Sequence, residues 1–303
     1  MNNFISIADL TQKQFYDLLG LALDLKQELR DKGKNQPLLA GKTLGMIFQK
    51  PSLRTRVSFE VGMLHLGGHA LYLSPNEIQL GKRESVADVA RVMGRYVNMI
   101  MARVFAHSDI LELANYSPVP LINGLSDYNH PCQGLGDYLT MLEAWGSFER
   151  RTLAYVGDGN NVLTSLIHGA AHAGIRIHVA TPSGYQPPAE VVEHARARGA
   201  TVTLFPDAVE AVTGVDAIYT DVWTSMGQEA ESQKRKHIFP PYQVNEALLA
   251  HAAKDAIVLH CLPAHRGQEI TDQVADGAQS RLWDQAENRL HAQKAVMVRL
   301  NGL

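Results

Sequence analysis

Apolar segments of strand length alternate with segments of helical period from about residue 43 to about residue 261. That alternation constrains the chain most, because it builds parallel sheets with helices on their faces. In the first half the spacing predicts strands at Thr43 to Phe48, Ala70 to Leu73, Met99 to Val104 and Val119 to Asn123. Helices are predicted at Val57 to Leu66, Ser85 to Tyr96 and Ile110 to Tyr116, where apolar residues recur at three and four. Pro131 to Trp145 reads as a further helix, with proline at its first position and Gly146 just past its end, and is a natural bridge between domains. The second half predicts strands Thr152 to Val156, Arg176 to Ala180, Thr201 to Phe205, Ala217 to Val222 and Ile257 to Cys261, with helices Asn161 to Ala173 and Ala189 to Arg198. Thr224 to His237 is polar, without clear periodicity and too long for an ordinary connection, so it reads as a lid. Ser6 to Asp31 and Ser280 to Leu300 read as amphipathic helices. The expected fold class is α/β, with two doubly wound parallel-sheet domains joined by linking helices. Their expected bounds are residues 1–142 and 143–284, with residues of about 285–303 packing back on the first.

Composition excludes several function classes. Hydrophobic residues make up 46% and charged residues 19%, far from the signature of disorder. A net charge of -3, with no basic run long enough to follow a phosphate backbone, argues against nucleic acid as a partner. Two cysteines, Cys132 and Cys261, make neither a disulfide framework nor a structural zinc motif. No apolar run approaches the roughly 20 residues of a membrane span, and the first ten residues lack the pattern of a signal peptide. The expectation is a cytoplasmic enzyme with no membrane partner.

Six segments carry chemistry. In FQKPSLRTRVSFE a strand ends, a short loop holds Ser52, Arg54, Thr55 and Arg56, and a helix follows. Hydroxyls, guanidiniums and free N–H groups at a helix start suit a phosphate or similar dianion; the alternative is a capped helix with its arginines in solvent. In DYNHPCQ, His130 and Gln133 flank the first turn of a helix, and Arg103 ends the MIMARV strand on the same sheet edge. Arg103 needs an anionic partner, either a ligand or a protein carboxylate. VGDGNNV begins like a dinucleotide fingerprint, but Val162 replaces its third glycine and the next strand ends without the ribose-binding acid. Its asparagines can bind carboxylate and ammonium groups or can simply cap the helix. In DVWTSMG, Asp221 can hold an ammonium while Ser225 and the Met226 N–H hold a carboxylate. HCLPAHRG places Cys261 at a strand end, where a free thiol is either functional or inert and buried.

In this order the motifs F-x-K-x-S-x-R-T-R, H-P-C-Q, D-x-x-x-S-M-G and H-C-L-P resemble the ornithine carbamoyltransferases, of the aspartate/ornithine carbamoyltransferase family, across nearly the whole chain. The resemblance implies a first domain for carbamoyl phosphate, a second for L-ornithine, an active site in the cleft between them, and the products citrulline and phosphate, in arginine metabolism. By the same resemblance Ser52, Leu53, Arg54 and Thr55 form the phosphate loop, while Arg103, His130 and Gln133 hold the carbamoyl group and bridging oxygen. Asn161, Asp221, Ser225 and Met226 match ornithine-binding positions; Cys261 and Leu262 lie beside the reacting groups, and Arg289 completes the carbamoyl phosphate site. Arg103, His130, Asp221 and Cys261 are the expected catalytic residues, with no metal and no cofactor. Gln79 matches a residue that reaches a neighbouring subunit's site, which implies a homotrimer or a multiple of trimers. Leu53 departs from the threonine of many members, leaving only a backbone N–H for the phosphate. Putrescine and N-acylated ornithine remain the alternative acceptors.

Overall fold

Runs such as TLGMIF and TLAYV, apolar almost throughout, have no alternating polar face to expose, so each becomes an interior strand of a parallel sheet. The structure is a computed structural model describing residues 1–224 and 229–303. The chain divides into two compact units, Met1–Leu139 with Glu287–Leu303, and Thr140–Ala286.

The first unit carries β1 (Thr43–Phe48), β2 (His69–Leu73), β3 (Met99–Arg103) and β4 (Leu121–Leu125), in the order β2-β1-β3-β4, all parallel. Ile47, Ile100, Ala102 and Leu121 form a core with Val86, Val89 and Ala90 of the helix Val86–Tyr96. The second unit carries β5 (Thr152–Val156), β6 (Arg176–Ala180), β7 (Thr201–Phe205), β8 (Ala217–Thr220) and β9 (Ile257–His260), in the order β7-β6-β5-β8-β9, again all parallel. Its core includes Ala154, Val156, Ile218 and Val258, with Ala208, Ala211 and Val212 of the short helix Ala208–Val212.

The differences from the expected elements have local causes. The helix expected from Val57 spans Leu53–His65, because Ser52 accepts the Thr55 N–H and so starts the helix one turn earlier. The strand expected at Val119 begins at Leu121, after Pro120, which has no N–H for a ladder. β8 stops at Thr220 instead of Val222, since the Asp221 carboxylate takes the Val222 N–H. The N-terminal helix spans Gln12–Lys32 behind a Thr11–Gln14 capping box, while Ser6 caps a separate turn at Ile7–Asp9. The lid-like stretch is not wholly a loop: it contains a turn at Glu229–Glu231 and the helix Ser232–Ile238.

Gly159 explains why VGDGNNV looks like a nucleotide motif without being one. Its N–H donates to the Tyr185 carbonyl at 2.9 Å, and a Cβ there would collide with the backbone of Tyr185, Gln186 and Pro187. Gly159→Ala is therefore expected to lower the free energy of unfolding by about 1–3 kcal/mol in urea titrations. Gly20→Ala, where a Cβ meets open space inside a helix, is expected to raise it by about 0.5–1 kcal/mol.

Candidate functional site

An open parallel sheet leaves a crevice outside the carboxyl ends of its strands where the strand order reverses. In the first unit that point lies between β1, which continues to β2 on one side, and β3 on the other. Phe48 pairs with Arg103 at the two strand ends, so the register alone sets Arg103 beside the Ser52 turn. In the second unit the point lies between β5 and β8, where Val156 pairs with Thr220 and Thr220 with His260. Gly157, Asp221 and Cys261, the next residues on each strand, emerge together.

At the first point Thr55 is fully buried and accepts from two guanidiniums, Arg103 Nη1 at 3.3 Å and Arg289 Nη2 at 2.5 Å. Ser52 Oγ lies 3.0 Å from the same hydroxyl. Arg289 Nη1 also donates to Gln133 Oε1 at 3.3 Å, while Gln133 Nε2 donates to the buried Asp137 at 2.8 Å. Gly136 permits this: a Cβ there would sit 3.1 Å from the Arg289 Cα, so the two helices meet backbone to side. Burial, then the charges of Arg289, Arg103 and Lys50, hold His130 well below the usual imidazole range. The site thus presents concentrated positive charge around a neutral histidine, an arrangement suited to a small dianion. Leu53 is 73% exposed, so its side chain points away and only its backbone is offered. Arg54 is half-buried in the same turn.

Other expected residues fall elsewhere. Arg56 is turned to the surface, paired with Glu60 at 2.9 Å and stacked 4.0 Å over Tyr72. Gln79 is exposed at the end of the one-turn helix Pro75–Ile78, and its amide donates to the Asn76 carbonyl. Cys132 points into the core, where it donates to the Asn123 carbonyl and burial pushes its thiol up to about 12. The turn before His130 is held by residues the sequence reading passed over: Asn123 Nδ2 donates to Asn129 Oδ1 at 2.5 Å, and both side chains donate to the Ile5 carbonyl. An asparagine inside the apolar strand LINGL was the available signal.

At the second point Asp221 is buried and accepts from Asn160 Nδ2 at 2.7 Å and from the Cys261 thiol at 3.0 Å. The same Asn160 caps the helix Asn161–Ala173 by accepting the Val162 and Leu163 N–H groups. Asn160 therefore belongs to the site, with its neighbour Asn161 half-exposed at the first helical position. Ser225 and Met226 lie outside the described residues. The HCLP segment is held from beneath. His260 Nδ1 accepts the Leu262 N–H at 2.9 Å, so Nε2 carries the proton and donates to the fully buried Glu269 at 3.0 Å. That bond keeps Leu262 in a left-handed conformation, φ 58°, beside Cys261. Glu269 had no signal in the sequence beyond its distance from the motif. Asp221, His260 and Cys261 bring donor atoms within 4.8 Å of one another, a possible metal trio among the described residues. Ligation by His260 would cost one of the two bonds its ring already makes.

Two doubly wound units, each gathering its polar side chains at its own reversal of strand order, define an enzyme for two small polar substrates. "Aspartate/ornithine carbamoyltransferase, carbamoyl-P binding domain" matches residues 2–143, and "Aspartate/ornithine carbamoyltransferase, Asp/Orn binding domain" matches residues 149–300. The chain is 53% identical over 302 residues to an ornithine carbamoyltransferase of Archaeoglobus fulgidus, covering 100% of this chain and 98% of the relative. It is 52% identical over 306 residues to that of Pyrococcus horikoshii, covering 99% and 96%. Among solved structures it resembles the ornithine carbamoyltransferase of Pyrococcus furiosus, with a TM-score of 0.94, 52% identity and 98% and 96% of the two chains covered. It also resembles that of Thermus thermophilus, with a TM-score of 0.90, 42% identity and 99% of each chain covered. The chain belongs to the aspartate/ornithine carbamoyltransferase family.

Thr55→Val keeps the volume but removes the acceptor from two buried guanidiniums, and should cost about 1.5–3 kcal/mol of stability in urea while Thr55→Ser costs less. Because the folded state resists protonating His130, its contribution is complete above about pH 6.5 and declines as the pH falls further. Proton NMR of the imidazole should accordingly show no titration between about pH 6.5 and 9.

Proposed function

We infer that the chain transfers the carbamoyl group of carbamoyl phosphate to the side-chain amine of L-ornithine, giving L-citrulline and phosphate. One observation carries the reading: a cationic site for a dianion at one reversal of strand order, and a carboxylate, Asp221, at the other to receive an ammonium. Relatives named ornithine carbamoyltransferase over nearly the whole chain support it. A relative of Pyrococcus furiosus carrying the name "Ornithine carbamoyltransferase, anabolic", at 52% identity, supports the citrulline-forming direction, in arginine biosynthesis.

In this reading the Ser52, Leu53, Arg54 and Thr55 turn takes the phosphate, with Arg103 and Arg289 neutralising its charge. Phosphate is already a good leaving group, so positive charge matters more than a strong acid. His130, kept neutral, and Gln133 orient the carbamoyl group by hydrogen bonds. As the amine adds, the carbonyl oxygen gains negative charge, and each donor aimed at it is commonly worth about 100- to 1,000-fold in rate. We assign that role to Arg103, His130, Thr55 and Arg54.

The acceptor poses the harder problem. An alkylamine of pKa about 10.4 is neutral in only about one molecule in 2,500 at pH 7, a cost of about 4.6 kcal/mol. Asn161 and Asp221, with Ser225 and Met226, bind ornithine, and the Asp221 carboxylate with the Cys261 thiol receives or relays the amine proton. Cys261 acts here as a polar neighbour of the amine, not as a carbamoylated nucleophile, and Leu262 lines the same place.

Subunit contact completes the proposal. Leu53, Val57 and Leu64 line one exposed apolar face of their helix, and Leu71 lies exposed on the edge strand β2. A trimer, or a multiple of trimers, would cover these residues and let Gln79 reach a neighbour's site. Two cysteines, too few for a disulfide framework, fit a reducing cytoplasm, and among the described residues no helix is long and apolar enough to cross a membrane.

The deciding assay measures citrulline from carbamoyl phosphate with ornithine, putrescine, aspartate and acetylornithine at equal concentration; ornithine should give the highest kcat/KM, and any other ranking removes the substrate assignment. Cys261→Ser should lower turnover and shift its pH profile yet leave activity measurable, whereas a trapped carbamoyl adduct on wild-type Cys261 would overturn the relay. Mixing an inactive Gln79 variant with an inactive Arg103 variant should restore activity if sites are shared, and sedimentation should report a multiple of three.

A further inference from the structure

The helix Ser232–Ile238 buries a charge where an apolar side chain would serve packing at less cost. Arg235 is 4% exposed. Its Nη1 lies 3.0 Å from the buried Asp158 carboxylate and donates to the Trp223 carbonyl at 2.7 Å. Its Nε donates to Glu231 at 3.1 Å, and its guanidinium lies 4.7 Å over the Tyr185 ring and 5.8 Å over that of Phe239. Its Nη1 and Nε are both bonded, and two rings lie within 6 Å of its guanidinium.

What it joins matters more than that it is buried. Asp158 opens the turn that carries Asn160: the Asp158 carbonyl accepts the Asn160 N–H and the Tyr155 hydroxyl, both at 2.8 Å. Trp223 stands two residues beyond Asp221. Asn160 and Asp221 then meet at 2.7 Å. One guanidinium thus grips both backbone arms that present this pair, one following β5 and one following β8.

We propose that Arg235 is a positioning residue of the acceptor site: by holding the Asp158 carboxylate and the Trp223 carbonyl together, it sets the separation at which Asn160 meets Asp221. The proposal rests on the reading that Asp221 receives the acceptor amine. Arg235 touches neither substrate in that scheme, so its loss weakens acceptor binding and spares carbamoyl phosphate. Asp158 also makes the grip sensitive to acid. It faces Arg235, Glu231 and Asp221, and burial pushes its carboxyl up to about 6. Below that pH it takes up a proton, loses its charge and frees Arg235 from its ionic partner.

The test uses full-length Arg235→Gln, Arg235→Lys and Asp158→Asn. Arg235→Gln should raise KM for ornithine about 10-fold or more and leave KM for carbamoyl phosphate within about twofold, the split expected of a group acting on one substrate's site. Arg235→Lys should recover part of the loss. The wild-type KM for ornithine should rise between about pH 6.5 and 5, and Asp158→Asn, which keeps the shape, should abolish that rise; a flat wild-type KM over this range would overturn the acid sensitivity. Equal rises in both KM values, or none, would overturn the proposal. Hydrogen exchange without substrates supplies an independent readout. The amides of residues 158–160 and 221–223 should exchange faster in Arg235→Gln, and unchanged exchange would also overturn it. Should the wild type prefer another amine, the ornithine assignment fails while the exchange experiment still decides the role of Arg235.

Discussion

The candidate site in each unit hangs on one pairing of parallel strands, β1 with β3 in the first and β5 with β8 in the second. At each, the next strand in sequence has gone to the other side, and the two loops that leave the sheet diverge and open a crevice. Backbone hydrogen bonds fix the register there, so Phe48 opposite Arg103 and Val156 opposite Thr220 place the following residues within ångströms. The side chains need little freedom of their own. A cationic cluster forms at one crevice because the strands end together, and the Asp221 cluster forms at the other for the same reason.

Placement alone would not make such clusters tolerable. Arg103 and Arg289 are buried beside one hydroxyl, and His130 responds by staying neutral. A folded protein holds such groups only where the surrounding structure is rigid enough to keep them from rearranging. That rigidity is visible in the contact of Gly136 with the Arg289 backbone and in the asparagine pair that fixes the turn before His130. In the second unit Glu269 and Arg235 are buried as well, Glu269 accepting from His260 and Arg235 paired with Asp158.

Periodicity made the sheets legible. Thr43–Phe48, Thr152–Val156, Arg176–Ala180 and Thr201–Phe205 are strands at the predicted residues, and Pro131–Trp145 and Asn161–Ala173 are helices at theirs. Hydrophobic alternation is a local signal and these elements obey it. Where a polar side chain takes a backbone group, the boundary moved, as at Ser52, Asp221 and Ser6. The stretch from Thr224 hid the helix Ser232–Ile238 because the residue that helix buries, Arg235, reads as a surface residue in any hydrophobicity pattern. Within the site, Thr55, Arg103, His130, Gln133 and Arg289 come together, and so do Asp221 and Cys261. Glu269 and Arg235 were missed: Glu269 lies nine residues from its partner His260 but outside the motif, and the partner of Arg235, Asp158, lies far along the chain.

By itself the sequence determined the α/β class, the order of elements and the residues capable of handling a dianion and an amine, since each follows from local spacing and from side-chain chemistry. Only the tertiary structure decided which of them lie together. It turned Arg56 and the Leu53 side chain outward, sent Cys132 into the core, and drew in Arg289 from 234 residues beyond Thr55. It also decided protonation, because burial and neighbouring charge act through space and are invisible along a chain.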